Sequence, residues 1–348
     1  MKKRLAAAAL IVTCLASGAR AASLDVPPAP YDVPPEAYSV PQPNLIPLPG
    51  VIEPHYEIGA RYWWSEGKTK FSIDSSKFDP TLGSPTSTLT YDNVQANTGE
   101  FTFRARTESN WIAKGFVGGG VLNGGNLDDR DFDAGQVMFS DTSSNLDGNG
   151  FVYGTLDVGK RFTLGGGPTT VSVSPFAGFN LWQEQIEAWG ARCKPDNVDG
   201  AFCGPAGSIA VPFTTKVISD TEGFAGLRLG GELQVKLYDR FTFIGDAAAV
   251  PYAYITNEDS HRLRTGGGPM GLGPGPNIAD SGSGWGYQLE GELRVALTPC
   301  WSLGSGVRYW FADITDGKSK FTNFRTTVDL PDFTTQRFGV FGDVSYRF

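Results

Sequence analysis

The chain has 348 residues, among them 45 glycines and 23 prolines, with 12% aromatics and a formal net charge of −8. Glycine and aromatic residues at that density suit many strands and tight turns, and poorly suit helices. The acidic balance excludes nucleic-acid binding by counterion release, which needs a basic surface.

Residues 1–21 have the pattern of an export signal. Lys2, Lys3 and Arg4 give a positive start, Leu5 to Leu15 give the apolar core, and Ala19-Arg20-Ala21 gives a small-x-small cleavage site. The apolar core falls short of the roughly 20 residues a membrane-crossing helix needs. Residues 22–54 are proline-dense (VPPAPYDVPPEAYSVPQPNLIPLPG) and lack period-2 alternation, so they are expected to form an extended periplasmic arm. No later run is apolar enough for a helical span, so any membrane face must be spread over alternate residues of strands.

From Tyr56 onward two-faced segments alternate with polar connections. Strands are expected over 56–73, 88–107, 111–123, 150–162, 171–187, 213–237, 241–259, 284–297, 301–320 and 335–348. Short links fall at Glu108-Ser109-Asn110, Leu164–Pro168, Tyr238-Asp239-Arg240 and Thr298-Pro299. Long polar links fall near 74–87, 124–149, 188–212, 260–283 and 321–334. Short turns on one side and long loops on the other, with an even strand count, describe an outer-membrane barrel. The fold class is therefore all-β: a ten-stranded antiparallel transmembrane barrel over 55–348, both termini periplasmic, in the bacterial outer membrane. In the last strand Phe338, Val340, Val344, Tyr346 and Phe348 share one face, and Asp343, Ser345 and Arg347 the other. A closing strand that ends on an aromatic residue resembles the signal read by the barrel-assembly machinery, an expected partner. Trp63, Trp64, Trp111, Trp182, Trp301 and Trp310 lie near strand ends, where an interfacial aromatic girdle is expected. Cys193 and Cys203 can close a short loop as a disulfide in an oxidising compartment, or remain thiols. Cys300 has no obvious partner.

Two constellations can carry chemistry. In Gly124-Gly125-Asn126-Leu127-Asp128-Asp129-Arg130-Asp131-Phe132-Asp133, extended backbone puts Asp129 and Asp131 on one side. Two such carboxylates cannot both ionise freely, so they can share a proton or hold a water. In Asn257-Glu258-Asp259-Ser260-His261 the same spacing sets Asp259 beside His261, and a carboxylate orients an imidazole and raises its basicity. The acidic run also has the oxygen-rich character that suits calcium or a bridging cation on a barrel surface. No Cys/His cluster has zinc spacing, and the glycine-rich stretch 266–275 lacks the context of a phosphate loop.

The order of these segments resembles the omptins, outer-membrane endopeptidases with ten-stranded barrels. SEGKTKFSI (65–73) is similar to the family's first strand end, and TLTYDN to its second strand. GGNLDDRDF (124–132) is similar to its aspartate-pair segment and NEDSH (257–261) to its Asp-x-His segment. The resemblance covers roughly 56–348 and implies catalytic roles for Asp129, Asp131, Asp259 and His261. It implies hydrolysis of extracellular polypeptides by a water that His261 activates, without covalent intermediate, cofactor or metal, and with lipopolysaccharide as a partner that activity can require. The sequence departs from the pattern at Ser143-Ser144-Asn145, where the family commonly has Ser-x-His. Phe71 and Asn257 stand where omptins place acids selecting a basic side chain. Phe179, Leu181 and Gln183 stand where they place groups that grip lipid A. The competing reading is a non-catalytic barrel serving as surface structure, adhesin or narrow porin.

Overall fold

A computed structural model describes residues 55–164, 169–194, 204–237, 240–266 and 271–348. The expected export signal (1–21), the proline-rich arm (22–54) and Cys203 lie outside the described residues. The elements are all strands: β1 (Tyr56–Asp74), β2 (Ser87–Arg106), β3 (Trp111–Asn123), β4 (Asn126–Asp133), β5 (Val137–Lys160) and β6 (Phe162–Leu164). They continue as β7 (Thr169–Cys193), β8 (Ile209–Leu237), β9 (Phe241–His261), β10 (Ile278–Ala296), β11 (Trp301–Phe321) and β12 (Thr326–Arg347).

Twelve strand segments thus stand where ten strands are expected. Segments β3 and β4 both pair with β2 on one side and β5 on the other, so they share one strand line broken at Gly124-Gly125. Segment β6 pairs with β7, as β5 does, and continues the β5 line. The ladder runs antiparallel from β1 through β2 to β5, crosses to β7, follows chain order to β12, and returns from β12 to β1. Among the described residues every strand line therefore has two neighbours, and the ladder closes on itself.

The strands run further outward than expected. Segment β4, the start of β5 and the outer reaches of β7, β8, β10 and β12 occupy stretches whose polarity suggests loops. Above the bilayer both faces of a barrel wall can be polar, so alternation fades although the ladder continues. The membrane belt is the outward apolar face, with Tyr62, Phe101, Val117, Leu181, Leu289 and Phe338 among its exposed side chains. On β9 it ends at Tyr254, and polar Thr256 and Glu258 follow outward.

The interior is filled in three levels. Toward the periplasm Arg61, Arg104, Arg228, Arg294 and Arg308 interlock with carboxylates. Arg308 reaches Glu100 at 2.5 Å and Glu290 at 2.7 Å, and Arg104 reaches Glu232 at 2.7 Å. Next come aromatics, Trp63 lying 5.0 Å from Trp310 and 5.3 Å from Tyr153 between ring centroids. Trp63 is 0% and Trp310 6% exposed, and Trp182 packs on the same core with its ring stacked on Phe224 at 5.4 Å, so these three belong to the core and not to the girdle; Trp111 and Trp301 do face outward. The third, outermost level is acidic. Cys193 is disulfide-bonded and Cys300 is a free thiol.

Candidate active site

Side chains alternate along a strand, so which residues face inward depends on parity counted from the membrane belt. On β3, Ile112, Lys114 and Leu122 are buried, and unbroken alternation would carry Asn126, Asp128 and Arg130 inward. The backbone instead turns left-handed: Gly124 and Gly125 take φ of 67° and 121°, opposite Asn93 at 56°. Parity flips here without a register slip, since Asn123 faces Gln95 and Asn126 faces Asp92, and Leu127 is buried inward with Asp129 and Asp131 on its side. Gly125 is required there, because a Cβ would lie 2.9 Å from the Asp92 carbonyl oxygen in a backbone conformation side chains avoid.

A register slip sets the opposite wall. On β9, Ala248 and Val250 are buried, then the count shifts and Ala253, Ile255, Asn257 and Asp259 are buried. The register against β8 slips at this point, between Leu227 and Leu229. Pro251 sits within the slip, where a missing N–H is tolerated. Glu258 consequently points out and Asp259 in. His261 follows at the strand's outer end, its Nε2 3.0 Å from Asp259 Oδ2, with 15% of its side chain exposed against 2% for Asp259. The site lies five residues beyond Tyr254, about 16 Å of extended chain above the belt.

The two walls are electrostatically joined. Burial raises the Asp129 carboxyl to about 7, the charges of Asp131 and Asp259 add to it, and those of His261 and Arg264 oppose it. Burial also raises Asp131, against a Ser87 hydrogen bond and the positive charges of Arg264 and His261. Burial alone would lower the His261 imidazole. The charge and hydrogen bond of Asp259, with Asp129 adding, outweigh it and lift the group to about 9. Residues far apart in sequence therefore share one field, the charge of each wall bearing on the titrating groups of the other.

The surroundings hold groups that the sequence reading passed over. Asp220 on β8 is the ladder partner of Asp259, and Glu222 and Asp280 flank Asn257 on the two neighbouring strands. All are buried. Burial raises Asp220 well above the carboxylate range and Asp280 to about 6, each aided by the charge of Asp259. Asp220-x-Glu222 has the same i, i+2 spacing as the expected pairs, and that was the available signal. Phe71 is buried and stacks on Phe333 at 5.5 Å, while Asn257 donates to Asp280 at 3.2 Å. Phe179 and Leu181 face outward, 60% and 57% exposed. Among the described residues no group of three or more His, Cys, Asp or Glu side chains is arranged to hold a metal ion.

A carboxyl pair on one wall and a carboxylate-held imidazole on the other can bind, deprotonate and orient a water between them. No family model matches the chain, and no curated protein does. Among solved structures it is similar to the outer membrane protease OmpT from Escherichia coli, with TM-score 0.63 and 15% identity over 84% of this chain and 97% of that one. It also aligns with OprG from Pseudomonas aeruginosa (TM-score 0.33, 10% identity, 86% of this chain and 98% of that one). For Ail of Yersinia pestis the figures are 0.28, 8%, 84% and 98%. At 15% identity the likeness to the protease is one of fold. The closed ladder, the outward apolar belt and this likeness together make the chain an all-β barrel of the bacterial outer membrane.

Proposed function

We propose that the chain is an omptin-like outer-membrane endopeptidase acting on extracellular polypeptides. What supports this reading is the Asp259–His261 pair, 3.0 Å apart at the outer end of β9, together with the carboxyls of Asp129 and Asp131 on the inward side of β4, whose titration the charge of His261 opposes. Asp259 engages Nε2, which leaves Nδ1 as the nitrogen that can act as base. A water held between Nδ1 and the carboxyl pair gives its proton to His261 as its oxygen attacks a peptide carbonyl. The proton shared by Asp129 and Asp131 hydrogen-bonds the oxyanion that forms. Collapse of the tetrahedral species then expels the amine, which takes the proton from His261.

The non-catalytic alternatives differ in what they need. A porin needs a continuous lumen, and here buried ion pairs such as Arg308–Glu100 and the Trp63–Trp310 level fill it. The test is cleavage of a peptide library by the refolded barrel, with and without lipopolysaccharide, for wild type and His261→Ala. Cleavage by wild type that His261→Ala loses supports the endopeptidase. A correctly folded wild type that cleaves nothing under either condition refutes it and favours a surface barrel.

A further inference from the structure

Strand β10 begins at Ile278, opposite Asp259, so the last residues of β9 have no ladder partner on that side. An unpaired strand end frays, yet this one carries the imidazole. Asn277 occupies the gap and is 0% exposed. Its backbone N–H donates to the Asp259 carbonyl at 3.0 Å. Its side-chain Oδ1 accepts from the His261 N–H at 3.0 Å, and its Nδ2 donates to the His261 carbonyl at 3.3 Å and to that of Gly273 at 3.1 Å. The amide thus makes the two bonds that the peptide group of a continuing strand would make. Asn277 is itself held, its carbonyl accepting from the Thr322 N–H at 3.0 Å. Gly275 closes the brace: a Cβ there would lie 2.6 Å from Ser260 Oγ, so the segment rests directly on the residue between Asp259 and His261.

We propose that Asn277 is the positioning residue of the site, its side-chain amide replacing the missing strand and fixing His261 at hydrogen-bonding distance from Asp259. The amide offers a donor and an acceptor on two separate atoms: ionised aspartate lacks the donor, a hydroxyl has both on one atom, and alanine lacks both. This rests on the endopeptidase reading for its consequence in catalysis, but not for its geometry.

The experiment compares wild type, Asn277→Asp and Asn277→Ala as full-length refolded barrels. The chain has two histidines, so a His55→Gln background leaves His261 as a single imidazole signal in NMR titration. In Asn277→Ala the His261 titration should fall by about one unit or more toward 6.5 as the bond to Asp259 loosens. For a peptide the wild type cleaves, kcat should fall about 10- to 100-fold with KM little changed, as expected when orientation alone is lost. Asn277→Asp keeps the acceptor for the His261 N–H and should lose less kcat than alanine. It also serves as the readout if the alanine variant does not fold. A His261 titration unmoved in Asn277→Ala, or, where that variant does not fold, an Asn277→Asp barrel with wild-type kcat, overturns the proposal. If the titration moves as expected while wild type cleaves no peptide, the brace stands and the endopeptidase reading falls.

Discussion

The dyad makes a quantitative prediction for Asp259→Asn, which keeps the shape of the side chain and removes its charge. His261 stands at about 9 against an ordinary histidine value near 6.5. That difference of about 2.5 units corresponds to about 3 kcal/mol favouring the imidazolium in the folded barrel. Because the folded value is the raised one, this stabilisation is fully present below about pH 6.5 and is lost as pH rises through about 9. Asp259 supplies the largest raising contribution and burial opposes it, so Asp259→Asn should bring His261 to 6.5 or lower and remove that pH dependence. NMR titration in the His55→Gln background reads the shift directly. In wild type the neutral imidazole grows as pH approaches 9 while the carboxyl proton of the Asp129–Asp131 pair is lost above about 7, so cleavage should peak between the two values. The variant has neutral imidazole already at pH 7 but no partner to orient it, so kcat should fall by about 10²- to 10⁴-fold at every pH. A variant in which His261 still titrates near 9, or a wild type in which it titrates near 6.5, would refute the field described for this site.

Other perturbations test the remaining parts. Asp131→Asn removes a charge that holds the Asp129 proton, so the Asp129 titration should fall from about 7, and kcat about 100-fold or more; unchanged kcat would remove the pair from the mechanism. Gly125→Ala puts a Cβ 2.9 Å from the Asp92 carbonyl at a φ of 121°, which should cost about 1–3 kcal/mol. Activity should fall further than stability alone explains, because Asp129 and Asp131 lose their inward parity; equal activity in the folded fraction would count against the glycine break. Arg308→Met takes the 2.5 Å partner from buried Glu100 and leaves it Arg61 at 3.6 Å and the Tyr153 hydroxyl at 2.7 Å, so a drop of about 3 kcal/mol is expected in a denaturant midpoint assay. Planar bilayers should show no sustained open-channel current for wild type, and a steady conductance would reopen the porin reading.

Much of the barrel was legible because alternation is strongest where one face meets lipid. Strand β1 was expected over 56–73 and spans 56–74, and β3 was expected and found over 111–123. Legibility failed where the wall leaves the membrane. Residues 126–133 and 137–149 look like loop because both faces are polar, yet they carry β4 and the start of β5. The girdle assignment failed at Trp63, Trp182 and Trp310 for a related reason: an aromatic near a strand end serves lipid or core according to parity, and composition does not show parity. Asn277 could not be read at all, since its importance comes from a gap left by β10 opposite β9, which is a tertiary fact.

Parity also shows what a local reading of the site leaves open. Spacing of two guarantees that Asp129 and Asp131 point the same way, and likewise Asp259 and His261; it does not say which way. Counted down an unbroken strand from the buried residues of β3, the aspartates would face out to solvent, and so would Asp259 counted from Val250. The left-handed backbone at Gly124-Gly125 reverses one wall and the register slip at Pro251 the other. The two reversals must occur together, because either alone would leave a carboxyl pair without an imidazole, or an imidazole without its pair. The Gly124-Gly125 break and the slip at Pro251 are therefore as much part of the site as its titrating groups. Removing the glycine break should abolish the coupling between Asp129 and His261 while leaving the Asp259–His261 bond intact. In Gly125→Ala the His261 titration should accordingly fall only slightly below about 9, since Asp259 remains its main source. A fall to 6.5 would mean that the two walls are mechanically linked and not merely facing.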